Sequence, residues 1–447
     1  MPTVHDHLSR QFLEWEIRGR GWRVYDQPIY PEPPFVPFTY RPMMDTLAVD
    51  DGRRPTFLSS LVRKLANHVA PVAATTPEEL EEEPEPILLE RAPQIEFQLS
   101  LPADLNASRD SLEQFFRNIS LCQEPVGFEL LGVHQRVTAQ FVASEADAPM
   151  VRKQLLAHFP EVELREQSGA LAKAWEASAG DLAFVVDFGL KNEFMLPLAS
   201  GKLDPFIGLV GALAALQPGE LGLFQVLWQP VQNPWADNLL QAVEHPDGKP
   251  IFVNAPELVS AAMKKAASPM YAVVVRIFGR SDDWSRLKGI ARDLASSLRV
   301  FSDPQANTLI PLQNEEYPFQ EHITDVVRRQ TRRTGMLLTS AELTGFVHLP
   351  SNAVQSPVLI RDAGLTKAAP GLVRQSTDFV IGDNEHNGDS VPVFLTPEQR
   401  VRHTHIIGSS GTGKSSLLFN LIQQDLRCGW RRWDGCGRIC QPHRSTR

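Results

Sequence analysis

The chain has 447 residues, a formal charge of −9 and a pI near 5.8. That length provides for two to four domains with buried cores. The acidic balance excludes a protein that wraps nucleic acid over its whole surface, while a local basic patch stays possible. Four cysteines, three of them within residues 428–447, exclude a disulfide framework and fit a reducing cytoplasm.

The opening segment mixes His5, Asp6, Arg10, Glu14 and Glu16, so no apolar core of a secretory signal is expected. Residues 1–68 read as an N-terminal arm and a short helix. A charged amphipathic stretch (7–22) precedes a Pro-rich aromatic segment at 30–38, where prolines fix φ and remove donors, so an extended arm is expected. Its aromatics could dock on a neighbouring subunit or on the chain's own fold, and the second is the simpler reading. A short helix at 57–66 follows, then a Pro/Ala/Glu-rich linker at 69–93 with the composition of a solvated segment.

From residue 94 the hydrophobic pattern becomes regular. Ile95, Phe97 and Leu99 alternate as a strand. Leu112, Phe115, Phe116 and Ile119 form one face of a helix, and 128–131 with 137–142 read as a strand pair. A helix at 148–159 ends at Pro160, and 162–164 supplies a last short strand. The order β-α-β-β-α-β over 94–168 predicts a ferredoxin-like α+β module. A second module is expected over 169–318, with strands at 182–188, 193–198, 223–228, 271–278 and 308–311 and helices at 205–216 and 283–298. The run 206–216, the most apolar of the chain, is too short to span a bilayer, so membrane contact is expected only through a partner.

A connecting segment at 319–376 carries Arg328, Arg329, Arg332 and Arg333. These guanidiniums suit DNA phosphates or a neighbour's ATP. The plainer reading is a solvated helix face paired with acidic residues such as Glu321 and Asp325. Phe379 to Leu395 reads as two β-rich runs around a Gly/Asn/Asp turn. An apolar strand at 405–407 is expected next, feeding Gly408, Ser409, Ser410, Gly411, Thr412, Gly413, Lys414 and Ser415. This stretch matches the phosphate-loop pattern G-x-x-x-x-G-K-[ST] and is followed by Ser416 and a helix with an apolar stripe at Leu417, Leu418, Leu421 and Ile422. The glycines let the backbone turn N–H groups toward phosphates. Lys414, the candidate catalytic residue, would bridge the β- and γ-phosphates of ATP, and Ser415 would hold Mg²⁺.

Gly382, the hairpin to Phe394, Arg402 to His405 and the loop Gly408–Ser416 together resemble the entry to the motor domain of HerA/FtsK-like ATPases. The similarity narrows to the coupling-protein-like branch of conjugation and type IV secretion. Asp110 to Arg117, Gln154 to Leu164 and Leu338 to Pro350 resemble segments ahead of that branch's ATPase core. The resemblance covers about 95–425. It implies a cytoplasmic, hexamer-forming, ATP-driven motor with a RecA-like α/β core, ATP and Mg²⁺ as cofactors, and DNA and the secretion or conjugation machinery as partners. The fold expected is therefore α+β: tandem ferredoxin-like modules, then the hairpin, strand, phosphate loop and helix that begin a RecA-like domain (377–427).

Residues 428–447 depart from that family, since a RecA-like core continues with a parallel strand ending in an acidic residue. Three readings stay open for this Cys/Arg-rich tail. One is a Zn²⁺ site from Cys428, Cys436, Cys440 and His443. Another is a basic DNA-binding tail with Trp430 and Trp433 as stacking platforms. The third is a broken or shortened reading frame, which would leave the motor truncated just after its phosphate loop. The competing functional class is a non-enzymatic interaction protein that docks on a motor ring or secretion channel and carries an incomplete nucleotide site. A different phosphate-loop enzyme, of ABC or AAA type, fits the long α+β region poorly. His134, His158 and His348 read as ordinary satisfied histidines. His403 and His405 flank the expected strand, and Glu342 reads as a charge at a helix N-terminus.

Overall fold

The computed structural model describes residues 4–39, 84–361 and 379–427, apart from 91, 103–104, 106–107, 200–203, 387–388, 397–398, 400–401 and 410. Helix α1 (Val4–Ile17) and strand β1 (Val24–Ile29) come first. A first half follows as β2 (Gln94–Ser100), α2 (Arg109–Asn118), β3 (Val126–Val133), β4 (Arg136–Ser144), α3 (Ala148–His158) and β5 (Glu163–Gln167). Helix α4 (Ala170–Ala177) leads to β6 (Leu182–Leu190), α5 (Phe206–Ala214), β7 (Leu221–Pro230), α6 (Trp235–Gln241), α7 (Glu257–Ala266), β8 (Met270–Ser281), α8 (Trp284–Ser297) and β9 (Leu309–Pro311). Then come α9 (Phe319–Arg328), β10 (Thr331–Arg333), β11 (Met336–Thr339) and α10 (Ser340–Phe346). The hairpin β12 (Val380–His386) and β13 (Asp389–Phe394) and helix α11 (Lys414–Arg427) complete the described chain.

The architecture is α+β on one antiparallel sheet of nine strands, in the order β5-β2-β4-β3-β7-β8-β6-β9, with β11 beside the start of β8. The halves mirror each other: in each, the fourth strand lies beside the first, then the third, then the second. They meet at their second strands, where β3 and β7 pair from Val126↔Trp228 to Val133↔Leu221.

Alternation along each strand divides the sheet into two faces. On one, Phe97, Phe141, Phe128, Val226, Val275 and Phe188 lie directly opposite one another across six strands, and all are buried. Helices from both halves cover this face. Phe206 of α5 stacks on Phe128 at 5.6 Å, and Phe116 of α2 meets Trp228 edge-on at 5.8 Å, so each half packs into the other. Burying such rings contributes about 2–3 kcal/mol apiece, which ties the halves into one core.

The expected strand at 193–198 is not formed. Phe194 and Met195 are both fully buried, but the segment turns and pairs with no strand among the described residues. The buried Asn307 amide holds that turn by donating to the carbonyls of Asn192, Glu193 and Leu196.

The Pro-rich arm docks on its own chain. The Glu32 carboxylate accepts from the backbone N–H groups of Gln232 (2.7 Å) and Asn233 (3.0 Å) and from Trp235 Nε1 (3.1 Å). This satisfies donors in the turn just ahead of α6, near a helix N-terminus where a negative charge is favoured. Phe35 meets Trp235 edge-on, and the Phe38 backbone bonds both ends of the buried Asn238 amide. Of the expected linker, the described part beyond 83 also pairs: Tyr30 N donates to Ile87 O and Leu89 N to Pro28 O. The expected helix at 57–66 and the tail 428–447 lie outside the described residues.

Candidate functional site

Gly411 and Gly413 have φ of +86° and +82°, a region closed to most L side chains, so the sequence folds here only because both are glycine. Gly408 is required for space: a Cβ there would stand 2.6 Å from Thr412 Oγ1. The loop leads directly into α11, whose first helical bond runs from Leu417 N to Gly413 O at 2.9 Å. The N–H groups of the first helical turn have no intrahelical acceptor, so they are free for an anion, and the helix dipole favours one. Lys414 folds back over the loop, donating from Nζ to the carbonyls of Gly408 (2.7 Å) and Ser409. Ser415 and Ser416 are exposed beside it, and Ser410 lies outside the described residues. These groups fit a phosphate chain chemically: positive-φ glycines, the N–H donors of a first helical turn, one ammonium and a hydroxyl for a hydrated cation.

The strand expected at 405–407 is absent. Residues 403–409 form neither helix nor strand, and Ile407 is 92 % exposed. A strand of this kind forms by hydrogen bonding to flanking strands, and among the described residues none lies beside it. His403 and His405 are exposed on the same segment. The hairpin β12–β13 forms as expected, from Val380↔Phe394 to His386↔Asp389. It holds α11 through Gln424, whose amide donates to Val380 O and accepts from Val380 N, both at 2.8 Å.

The arginine segment departs from both of its sequence readings. Arg329, Arg332 and Arg333 lie neither on a solvated helix face nor on a basic surface; they are turned inward, and Arg328 alone is exposed. On the second face of the sheet a row of buried polar residues runs directly across six strands. The sequence along it is Gln98, Gln140, Glu129, Gln225, Arg276 and Asp187. Helix α9 and β10 lie over this row. Arg329 donates from Nε to Glu129 Oε1 (2.8 Å) and from Nη2 to Glu96 Oε1 (2.5 Å), two carboxylates of the first half. Arg333 donates to Asp187 Oδ2 in the second half (3.1 Å), and Arg276 donates to Gln330 O (3.0 Å). Arg332 joins Asp325 and Glu321, the one pairing the sequence indicated.

Burial alone would raise the Asp187 carboxyl, but Arg276, His322 and Arg333 outweigh it and hold the group well below the usual carboxylate range. Arg329 likewise keeps its charge, because Glu129 and Glu96 outweigh its desolvation. The arginines therefore clasp the connecting segment to both halves of the sheet.

The remaining candidates are structural. His134 Nδ1 bonds Leu216 O, His158 bonds Asn118, and His348 bonds Asp204 at 2.9 Å. Glu342 closes a capping box with Thr339 and pairs with the buried Lys265 at 3.1 Å beside a cavity of about 180 Å³. Burial lowers the Lys265 ammonium, and Glu342 opposes that shift. Among the described residues no three His, Cys, Asp or Glu side chains converge as metal ligands, and no helix is long and apolar enough to cross a membrane. No protein-family model matches the chain, and no curated protein matches it.

Proposed function

We propose that residues 408–416 bind ATP with Mg²⁺ and that the chain carries the entry to a motor domain of the HerA/FtsK-like, conjugation and type IV secretion class. The observation that carries this reading is the loop itself, with two positive-φ glycines opening onto a helix N-terminus that begins at Lys414. Backbone N–H groups from Gly411 to Ser416 and the Lys414 ammonium would hold the phosphates, and the Ser415 hydroxyl would hold the cation's inner shell. A bound Mg²⁺ neutralises charge on the β- and γ-oxygens. To take up that role Lys414 exchanges the carbonyls of Gly408 and Ser409 for phosphate oxygens, a stronger, charge-assisted partner. The two halves of the sheet, each ordered fourth-first-third-second, support reading them as tandem ferredoxin-like modules set ahead of the motor.

Titration with a fluorescent ATP analogue and Mg²⁺ tests the site. Binding should be saturable and fall by two orders of magnitude or more in Lys414→Ala, in line with the loss of a charge-assisted contact of about 3 kcal/mol. Undiminished binding by that variant sinks the assignment.

A second reading is favoured by one observation: the arm, the sheet and the connecting segment share a buried core, whereas α11 exposes Leu418, Phe419, Ile422 and Leu426. In that reading the chain acts as a non-enzymatic docking protein. ATP turnover by the purified chain above background would exclude it.

A further inference from the structure

On the second face of the sheet, beside the arginine clasp, lies an open groove of about 380 Å³ between β2, the β3–β4 turn and α4. The polar row runs into it. Gln98, the last member of the row, and Thr138, on the adjoining strand β4, line the groove. Both are more than nine-tenths buried, at 5 % and 6 % exposure, and neither side chain has a hydrogen-bond partner among the described residues. Gln140 and Gln225 donate to Glu129, and Arg276 donates to Gln330 O, although the Oε1 atoms of Gln140 and Gln225 are buried with no hydrogen-bond partner among the described residues. The amide of Gln98 and the hydroxyl of Thr138 reach the open groove, so they are available to hydrogen-bond whatever occupies it.

The groove's charge defines what would do so. Arg136 and Lys173 stand exposed at its rim, and neither forms an ion pair with a described residue. His134 is there too, its Nδ1–H committed to Leu216 O, and Nε2 has no partner among the described residues. The acidic residue of the lining, Glu220, is taken up by Arg286 at 2.7 Å. Leu131 and Ala174 provide apolar walls between the polar floor and the cationic rim.

We propose that this groove binds a small organic anion. Its phosphate or carboxylate would meet Arg136 and Lys173, its apolar body would lie against Leu131 and Ala174, and a polar edge would meet Gln98 and Thr138. The volume falls within the range of ligand pockets, and a few convergent polar groups in apolar walls are how such pockets orient a ligand. The site lies in the first half of the sheet and owes nothing to the phosphate loop.

The test is equilibrium titration of the full chain carrying Lys414→Ala, which removes loop binding. One probe is AMP, for a phosphate; the other is 1-naphthoate, for a carboxylate on a ring. One or both should bind with a Kd below about 1 mM, and the better of the two identifies the anionic group. Affinity should fall about tenfold or more in Arg136→Ser and in Lys173→Ser, exposed positions where folding is not at stake. It should also fall in Thr138→Val, which keeps the floor's shape and removes its hydroxyl. Binding of neither probe at millimolar concentration overturns the proposal, as does binding that survives all three substitutions. Circular dichroism of each variant separates loss of the groove from loss of the fold.

Discussion

At Arg329 a side chain and its backbone pull in opposite directions. The residue sits at φ +54°, which costs a non-glycine residue about 1 kcal/mol, yet its guanidinium is buried between Glu96 and Glu129. Removing one member of a buried pair leaves the partners uncompensated, so Arg329→Ala should destabilise the chain by about 3–5 kcal/mol, read from urea unfolding. Arg329→Gly relieves the backbone and should recover at most about 1 kcal/mol of that loss. Full recovery by glycine would show that backbone strain, and not the ion pairs, governs the position.

Asp187 adds a pH dependence whose sign is determined by its depressed pKa. Such a group contributes stability above its unfolded value, near 3.9, and loses it as pH falls through the folded value. The unfolding free energy should therefore drop below about pH 4, and Asp204, held low by His348 and the Ser351 and Phe206 N–H groups against its burial, adds to the same acid loss. Asp187→Asn should cost most at neutral pH, with the gap to wild type narrowing in acid; a gap constant from pH 7 to pH 3 would contradict this.

Among the elements, the β3–β7 seam is the joint on which the sheet depends. Gly132 and Gly222 lie opposite each other there, both beneath Leu213 of α5. A Cβ on Gly132 would stand 2.9 Å from Leu213 Cβ, an atom with little freedom to move, so α5 would have to shift off the seam. Gly132→Ala should cost about 1–3 kcal/mol, checked by the urea midpoint. The helices and long strands of 94–311 were legible in the sequence because alternation and a 3.6-residue stripe each mark a buried face. The turn at 193–198 was not, since its consecutive buried Phe194 and Met195 resemble half a strand until Asn307 is seen holding their backbone.

In the whole molecule, arm, sheet and connecting segment should unfold as one unit. The polar row and the helix-covered core both cross the seam, and α9 with β10 is tied to both halves. Near- and far-ultraviolet circular dichroism should give coincident transitions for this body. A separate transition for one half would mean that the seam is weaker than its pairing implies.

The sequence by itself determined the α+β class, the hairpin and the glycine-rich loop from Gly408 to Ser416, because each is written in local spacing: period two, period 3.6, and glycines at set intervals before a lysine. It could not reveal that Arg329 and Arg333 point inward, that Glu96, Glu129 and Asp187 await them some 150 to 230 positions away, or that Gln98 and Thr138 share a groove with Arg136 and Lys173. Charge in a sequence carries no direction. Only the tertiary structure, by choosing which strand faces lie together across the seam, decided which of these side chains meet an opposite charge and which are left without a partner.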